Sequence, residues 1–428
     1  MKKIVSSILC VAFCVCSLFA TANAETVSKE YENMKYEIVD GEVSIVGPNG
    51  NIEDLNIPDT IEDMPVTRIE QNAFGNCDTV KNVSFGKNVE YIGKYAFYKC
   101  GSLETAQFGN SITEIDEFAF GYCASLGELN LPSGLETIGK DAFIGCSSLQ
   151  EITVPDSVSS LGEWAFGECS GIKSAKLGKS VTEVSSDLFY NCVNLENVQL
   201  PNKINSIGES AFWSCSALPQ IDIPESTTVI KNYAFYGCNG LTNVKIPDSV
   251  TEIKSNAFYK CNSLENIELS KSLKTIGDFA FLDCPSMKEI SVPMSVSSIG
   301  YKALGYYGNN IEKIADFTIY GYANSSAEKY ADNHEFKFVS LTPPPTSKGD
   351  VNGDGETDEM DAMLVSRYSA GMLNLTPDQL IVADVNGDGE VDEMDAMLIS
   401  RYSAGLIELT AKPKPNDNKV VELEEIPD

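Results

Sequence analysis

The chain has 428 residues, enough for two or three domains. It carries 62 acidic side chains against 31 basic ones, a formal charge of -31 at neutral pH. A surface of that sign repels nucleic acid and anionic lipid, so neither is expected as a partner, whereas it suits cation binding and solubility.

The chain opens MKKIVSSILCVAFCVCSLFATANA. Two lysines precede a short apolar run, and Ala22-Asn23-Ala24 offers small residues for cleavage. A secretory signal peptide is therefore expected over residues 1–24, which makes the protein a secreted, extracellular one. Cys10, Cys14 and Cys16 follow Leu9, Phe13 and Val15, not the small residue that a lipid-anchoring site needs. No later stretch is long and apolar enough to span a membrane.

Residues 25–341 follow a ruler of twenty-three residues. Ten cysteines, from Cys77 and Cys100 to Cys261 and Cys284, fall at that spacing without a gap. An apolar residue follows each by three, from Val80 and Leu103 to Met287. The fifteenth residue after each is Ile, Leu or Val, and the twentieth is Phe in nine units, from Phe97 to Phe281. The segment LxxIxIP alternates as a short strand does. The segment xxAFxxC places Ala, Phe and Cys where one face of a helical turn would bring them together. One such unit has too few apolar residues to bury a core alone, so the units must stack. A solenoid of about twelve rungs at about 4.8 Å is expected, near 60 Å long. The lead-in MKYEIVDGEVSIVG and the closing TIYGYANSSAEKYADNHEFKF depart from the frame as caps do, and Tyr307 replaces the next cysteine. The residues from Tyr31 to the first strand read as flexible by composition.

The motif xIGxxAFxxCxSLxxIxIPxSV, present in AFIGCSSLQEITVPDSV and AFYKCNSLENIELSKSL, resembles the BspA-like leucine-rich repeats of bacterial surface proteins. The resemblance covers about Tyr36 to Leu341. It implies a solenoid and a binding role, including adhesion, without naming a ligand.

The cysteines are expected as a ladder of free thiols. Neighbours one rung apart stand about 4.8 Å from each other with parallel Cβ vectors, while a disulfide needs Cβ atoms about 3.8 Å apart and facing. No histidine accompanies them, which argues against a metal site. The outward strand positions, such as Asn82, Ser84, Thr105, Gln107, Asn197, Gln199, Asn243 and Lys245, are polar. The turn face instead carries rings at rung spacing: Tyr98, Trp164, Tyr190, Trp213, Tyr236 and Tyr259, with Tyr95, Phe118, Tyr233 and Phe279 beside them. These make a candidate ligand face for a protein or a glycan. The competing expectation is that the rings stack on one another and cover the turn.

A Pro-rich linker is expected over 342–348. The stretch DVNGDGETDEMD then begins at Asp350, and DVNGDGEVDEMD begins at Asp384. In the first, Asp350, Asn352, Asp354, Glu356, Asp358 and Asp361 stand at positions 1, 3, 5, 7, 9 and 12 of a calcium loop, with Gly355 at the sharp turn. In the second, Asp384, Asn386, Asp388, Glu390, Asp392 and Asp395 do the same around Gly389. So many carboxylates on one loop repel each other without a cation, and two near-identical loops, each followed by a helical pattern, are not chance. Two calcium ions are expected.

Position 12 is Asp, not the Glu of an ordinary EF-hand, and no entering helix precedes Asp350. A loop with only its exiting helix, written twice with 22 of 27 positions alike, resembles the type I dockerin module, over about 349–410. That resemblance implies a calcium-stabilised, all-α module that docks onto a cohesin domain of a scaffold protein in a cellulosome. It further implies that Glu359, Met360, Arg367 and Tyr368, and in the second copy Glu393, Met394, Arg401 and Tyr402, face the cohesin. Ordinary core packing is the competing expectation for Met360 and Met394. The copies' near-identity suggests two alternative docking poses. The tail, 411–428, reads as flexible and acidic.

The expected fold class is α+β, a leucine-rich repeat solenoid followed by a small all-α calcium module. Repeats and caps consume every residue between leader and linker. The only histidine, His334, lies in the closing cap without a nucleophile motif around it. Carboxylates such as Glu128, Glu151, Asp222 and Glu289 are scattered, not paired as a glycosidase requires. A non-catalytic protein is expected, in which any link to polysaccharide breakdown belongs to the assembly.

Overall fold

The computed structural model describes residues 28–341 and 348–409. The leader expected over 1–24, all but Lys348 of the expected linker and the tail expected over 411–428 lie outside the described residues.

Most rungs contribute two short strands; 221–223 form none, and Val184 pairs only as an isolated bridge to Ile207. In the rung that follows Cys146, the first is Glu151–Thr153, with Ile152 buried between two exposed neighbours. The second is Ser160–Leu161. Both pair in parallel at a register of twenty-three: Ile152 opposite Ala175, and Leu161 opposite Ile138. Stacking the rungs thus builds two parallel ladders, one on each side of a common core. The second ladder was visible in the sequence only as an invariably apolar fifteenth position.

The Ala-Phe-Cys segment is not the helical turn that its spacing suggests. Tyr95 and Lys99 take left-handed φ values of 59° and 56°. The amides of Tyr95, Phe97 and Lys99 donate to Glu117, Ala119 and Gly121 in the next rung, at 3.0, 2.7 and 2.8 Å. The intervening amides of Ala96, Tyr98 and Cys100 donate three residues back within the turn. A helical turn would keep all its amides internal and leave the stack unbonded on this side. Left-handed residues at two places turn alternate peptides along the solenoid axis, so the buried backbone is satisfied between rungs.

Side chains repeat the arrangement. Phe74 and nine further phenylalanines to Phe281 are wholly buried, and successive rings stack with centroids 5.0 to 6.1 Å apart. The ten cysteines are free, nine of them buried and Cys77 half-buried at the open end of the row. From Cys100 to Cys284 each Sγ donates to a phenylalanine carbonyl of the preceding rung at 3.0 to 3.2 Å. They act as donors as well as small hydrophobes. Close stacking also explains the Ile-Gly pair of the motif in rungs such as Leu161-Gly162, where a Cβ on Gly162 would lie 2.4 Å from the Lys140 nitrogen.

The N-terminal cap corrects the expectation of a flexible lead-in at Tyr31. Strands β1 (Lys29–Tyr31), β2 (Met34–Val39) and β3 (Glu42–Pro48) form an antiparallel meander, and β3 joins the second ladder through Met64–Ile69. Asp40 and Gly41, at φ 52° and 87°, make the tight turn between β2 and β3. Met34 and Tyr36 bury against the first rung, which outweighs the polar composition around them. At the other end the strand Thr318–Gly321, helix α1 (Ser326–His334) and the strand Lys337–Ser340 close the first ladder.

Beyond the linker stand three helices: α2 (Glu359–Ser369), α3 (Pro377–Ala383) and α4 (Glu393–Ser403). Val351, Val365, Leu375, Ala383, Val385, Ala396 and Ile399 form their shared core. The loop-helix pattern was expected twice and is found twice; α3, which leads into the second loop, was not expected. Its signal was present: Thr376 caps it, a proline opens it, and Gln379 completes a capping box with Thr376.

Candidate calcium and ligand sites

The two acidic loops have nearly the same geometry. Asp350 accepts from the amides of Gly353 and Gly355 at 2.8 and 3.0 Å, and Asp384 accepts from Gly387 and Gly389 at 2.6 and 3.0 Å. Asn352 accepts from Asp354 and Asn386 from Asp388, both at 2.7 Å, which bends each loop inward. Gly355 and Gly389 stand at φ 92° and 93°, where a side chain would be strained. Asp361 and Asp395, at position 12, are fully buried. Each accepts the amide of Asp358 or Asp392 at the helix N-terminus, and each also accepts an amide from the loop's third residue, Asn352 or Asn386. The last ligand position is thereby fixed to the start of the exiting helix.

These donors fit calcium. They are hard oxygens, supplied by carboxylates, an Asn amide and a backbone carbonyl in the order that a flexible oxygen cage uses. Burial pushes the Asp361 carboxyl up to about 6, and the nearby Asp350 and Asp354 charges add to the shift. Burial also raises Asp350 and Asp395. A divalent cation would offset that penalty. Among the described residues no three Asp, Glu, His or Cys side chains close on a single point.

The expected cohesin-facing residues lie on the exiting helices. Glu359 and Glu393 open α2 and α4, and Arg367 and Arg401 sit in their last turns. Met360 and Met394 are each 51 % exposed, which sets aside the core-packing alternative for both. Tyr402 is exposed and Tyr368 is half-buried against the small core. α2 and α4 pack against one another, and on the α2 side Met360 and Leu364 line a cleft whose other wall includes Lys271, Met294 and Tyr322 of the solenoid.

On the solenoid, the six rings of the candidate ligand face are half-buried. Trp164 lies 4.5 Å from Tyr190, Tyr190 5.6 Å from Trp213, and Trp213 3.7 Å from Tyr236, between centroids. Tyr236 meets Tyr259 edge to face at 5.0 Å. Tyr98 stands apart from these, against Tyr95, Phe118 and Tyr122. The rings spend much of their face area on each other. A reading by aromatic residues alone overlooked Asp141 and Asp187, which occupy the same position of the repeat as Tyr95, Phe118 and Trp164. Burial pushes both carboxyls up to about 6.

The class defined by these observations is a repeat solenoid joined to a paired calcium-loop module. The chain belongs to the BspA type leucine rich repeat family, whose model matches residues 48–173, 136–230 and 207–320. Residues 348–402 match the dockerin type I domain. Both are non-catalytic modules. No curated protein matches the chain. Among solved structures it is similar to a leucine-rich repeat protein of T. pallidum, at 28 % identity over 45 % of this chain and 90 % of that one, with a TM-score of 0.43. A leucine-rich repeat protein of Bacteroides ovatus shares 25 % identity over 73 % and 99 % of the two chains, with a TM-score of 0.45. The pneumococcal vaccine antigen PcpA shares 16 % over 74 % and 99 %, with a TM-score of 0.43. No helix among the described residues is long and apolar enough to cross a membrane.

Proposed function

We propose that this is a secreted, non-catalytic component of a cellulosome-type assembly. Two calcium ions load the C-terminal module through Asp350, Asn352, Asp354, Glu356, Asp358 and Asp361, and through the matching Asp384 to Asp395 set. The loaded module docks onto a cohesin of a scaffold protein by the Met360 or the Met394 face. The repeats hold a ligand and so bring it to the assembly. The observation that carries the reading is the doubled calcium loop whose exiting helices each display an exposed methionine beside the loop. The self-stacked rings favour a protein ligand for the repeats over a sugar laid on a ring face. Such a ligand makes the chain an adaptor for another assembly protein or for a cell surface.

The test is calcium-dependent binding of the full chain to a panel of cohesins, with EDTA as control. Tight binding abolished by EDTA supports the docking role and identifies the scaffold. Calcium uptake with no cohesin bound would remove the cellulosome reading and leave only a calcium-stabilised pair of loops.

A further inference from the structure

One position of the repeat breaks its own rule at the last cysteine unit. The tenth residue after each cysteine is polar and exposed from Lys87 and Asn110 through Glu225 to Asp248 and Lys271. After Cys284 it is Met294, and it is half-buried. The solenoid core does not need an apolar side chain there, since every earlier unit does without one.

What covers Met294 is the C-terminal module. Gln379 of α3 is only 8 % exposed, and its Nε2 donates to Met294 Sδ at 3.7 Å and to the Val351 carbonyl at 2.8 Å. Its Oε1 accepts the Thr376 amide at 3.0 Å. One side chain thus joins the cap of α3, the first calcium loop and the end of the solenoid. Gly353, at φ 75°, brings the backbone of that loop to the same sulfur: a Cβ there would lie 3.5 Å from Met294 Sδ. Tyr322 of the closing cap stands near enough to the loop that the Asp350 charge adds to burial in raising its hydroxyl.

The second loop is held differently. Val385, the counterpart of Val351, accepts from Lys348 Nζ at 3.2 Å, within the module. Met360, across the cleft, keeps its exposure, so the contact is made by the first loop and α3 and not by the methionine face. The two calcium loops, alike in sequence, therefore differ in what they touch.

That difference has a consequence for the ion. An ion drawing Asp350, Asn352 and Asp354 together fixes the backbone of Gly353, which lies between them. The surface that meets Met294 is thus set by the loaded loop. An interface that favours the loaded loop must in return raise that loop's affinity for the ion.

We propose that the solenoid end around Met294 is a docking surface for this chain's own C-terminal module, and that calcium at the first loop, not the second, locks the two modules in one orientation. This rests on the reading that the acidic loops take calcium.

The test uses the full chain and Met294→Glu. Glutamate already stands at this position of the repeat as Glu225, so the solenoid accepts it. Small-angle X-ray scattering should show a smaller radius of gyration for the parent in calcium than in EDTA, and no such change for the variant. Calorimetry should show two ions for both, with one site about fivefold weaker in the variant. In an Asp384→Ala background the remaining ion should weaken by the same factor; in an Asp350→Ala background it should not change. Met294→Leu should behave as the parent. Unchanged scattering and affinity in Met294→Glu would overturn the proposal, and so would equal weakening of both sites. Calcium uptake by the parent without compaction would overturn it and leave the calcium reading standing. No uptake by the parent would remove both.

Discussion

Cys146 donates from Sγ to the carbonyl oxygen of Phe120, 3.2 Å away and one rung earlier. The thiol thereby adds a second donor to a buried carbonyl that already accepts the Cys123 amide at 3.2 Å, and so ties the two rungs together. Replacing Cys146 with Ala should lose both packing and that bond, destabilising the solenoid by about 2 to 3 kcal/mol. Replacement by Ser, which keeps a donor, should cost less. Denaturant unfolding measures both, and an Ala variant as stable as the parent would remove the donor role.

The thiols themselves should be slow to react. Burial pushes Cys100 up to about 12 and raises Cys123, Cys146 and Cys192 far above the ordinary thiol range. Cys77, half-buried at the end of the row, is raised less. Thiolate is the reactive form, so an alkylating reagent should label Cys77 first in the folded protein and the other nine only after unfolding. Mass spectrometry of timed samples reads the order. A dithiothreitol-induced fall in melting temperature would contradict the free-thiol arrangement.

The repeat frame was legible because a stacked core needs the same side chain at the same place in every rung, as Phe97 to Phe281 and Cys100 to Cys284 are. What that periodicity could not give was the peptide orientation around Ala-Phe-Cys. A helical turn and a series of turns with left-handed Tyr95 and Lys99 bury the same three side chains. The N-terminal meander was concealed by polar composition, although Asp40-Gly41 between two alternating runs is a hairpin signal. The doubled loop-helix pattern of the C-terminal module was legible, since the same twelve-residue spacing stands before both α2 and α4 and residues 348–402 match the dockerin type I domain. Asp141 and Asp187 were missed because their face was read through its rings, and burial of an acid there follows from the rungs on either side.

Those two acids make a pH prediction with a definite sign. Their folded carboxyls are raised to about 6, above the ordinary unfolded value. Below about pH 4 both states hold the proton, and the acids cost nothing. Between about pH 4 and 6 the unfolded chain loses its proton first, so stability falls as pH rises, and the loss is complete above the folded value. Asp141→Asn should therefore stabilise the protein at pH 7.5 by about 1 to 3 kcal/mol and leave it unchanged at pH 4. Thermal melts of both forms across that range test it; a gain that persists unchanged at pH 4 would point to packing.

Calcium should stabilise the C-terminal module through two separable sites. At a free concentration about a hundredfold above the dissociation constant, each ion adds about 2.7 kcal/mol. Calorimetric titration should give two ions per chain and one after Asp384→Ala, since Asp384 supplies the first donor of its loop. EDTA should lower the melting temperature of the α2–α4 core and leave the solenoid transition in place, because the solenoid core contains none of the loop residues. A stoichiometry of one for the parent chain would mean that a single loop is competent.

The last prediction concerns the two methionine faces. Met360 and Met394 stand second in equivalent helices, are equally exposed, and sit beside loops of almost the same hydrogen-bonding pattern. If either face can meet the cohesin, then Met360→Glu alone should change affinity less than about threefold, because the intact copy still binds. Met394→Glu alone should behave likewise, and the double variant should lose about a hundredfold or more, since each face then places an unpaired carboxylate at the centre of the contact. Calorimetry against the cohesin that binds the parent separates the cases. A large loss from one single variant, with none from the other, would show one working face and would assign it.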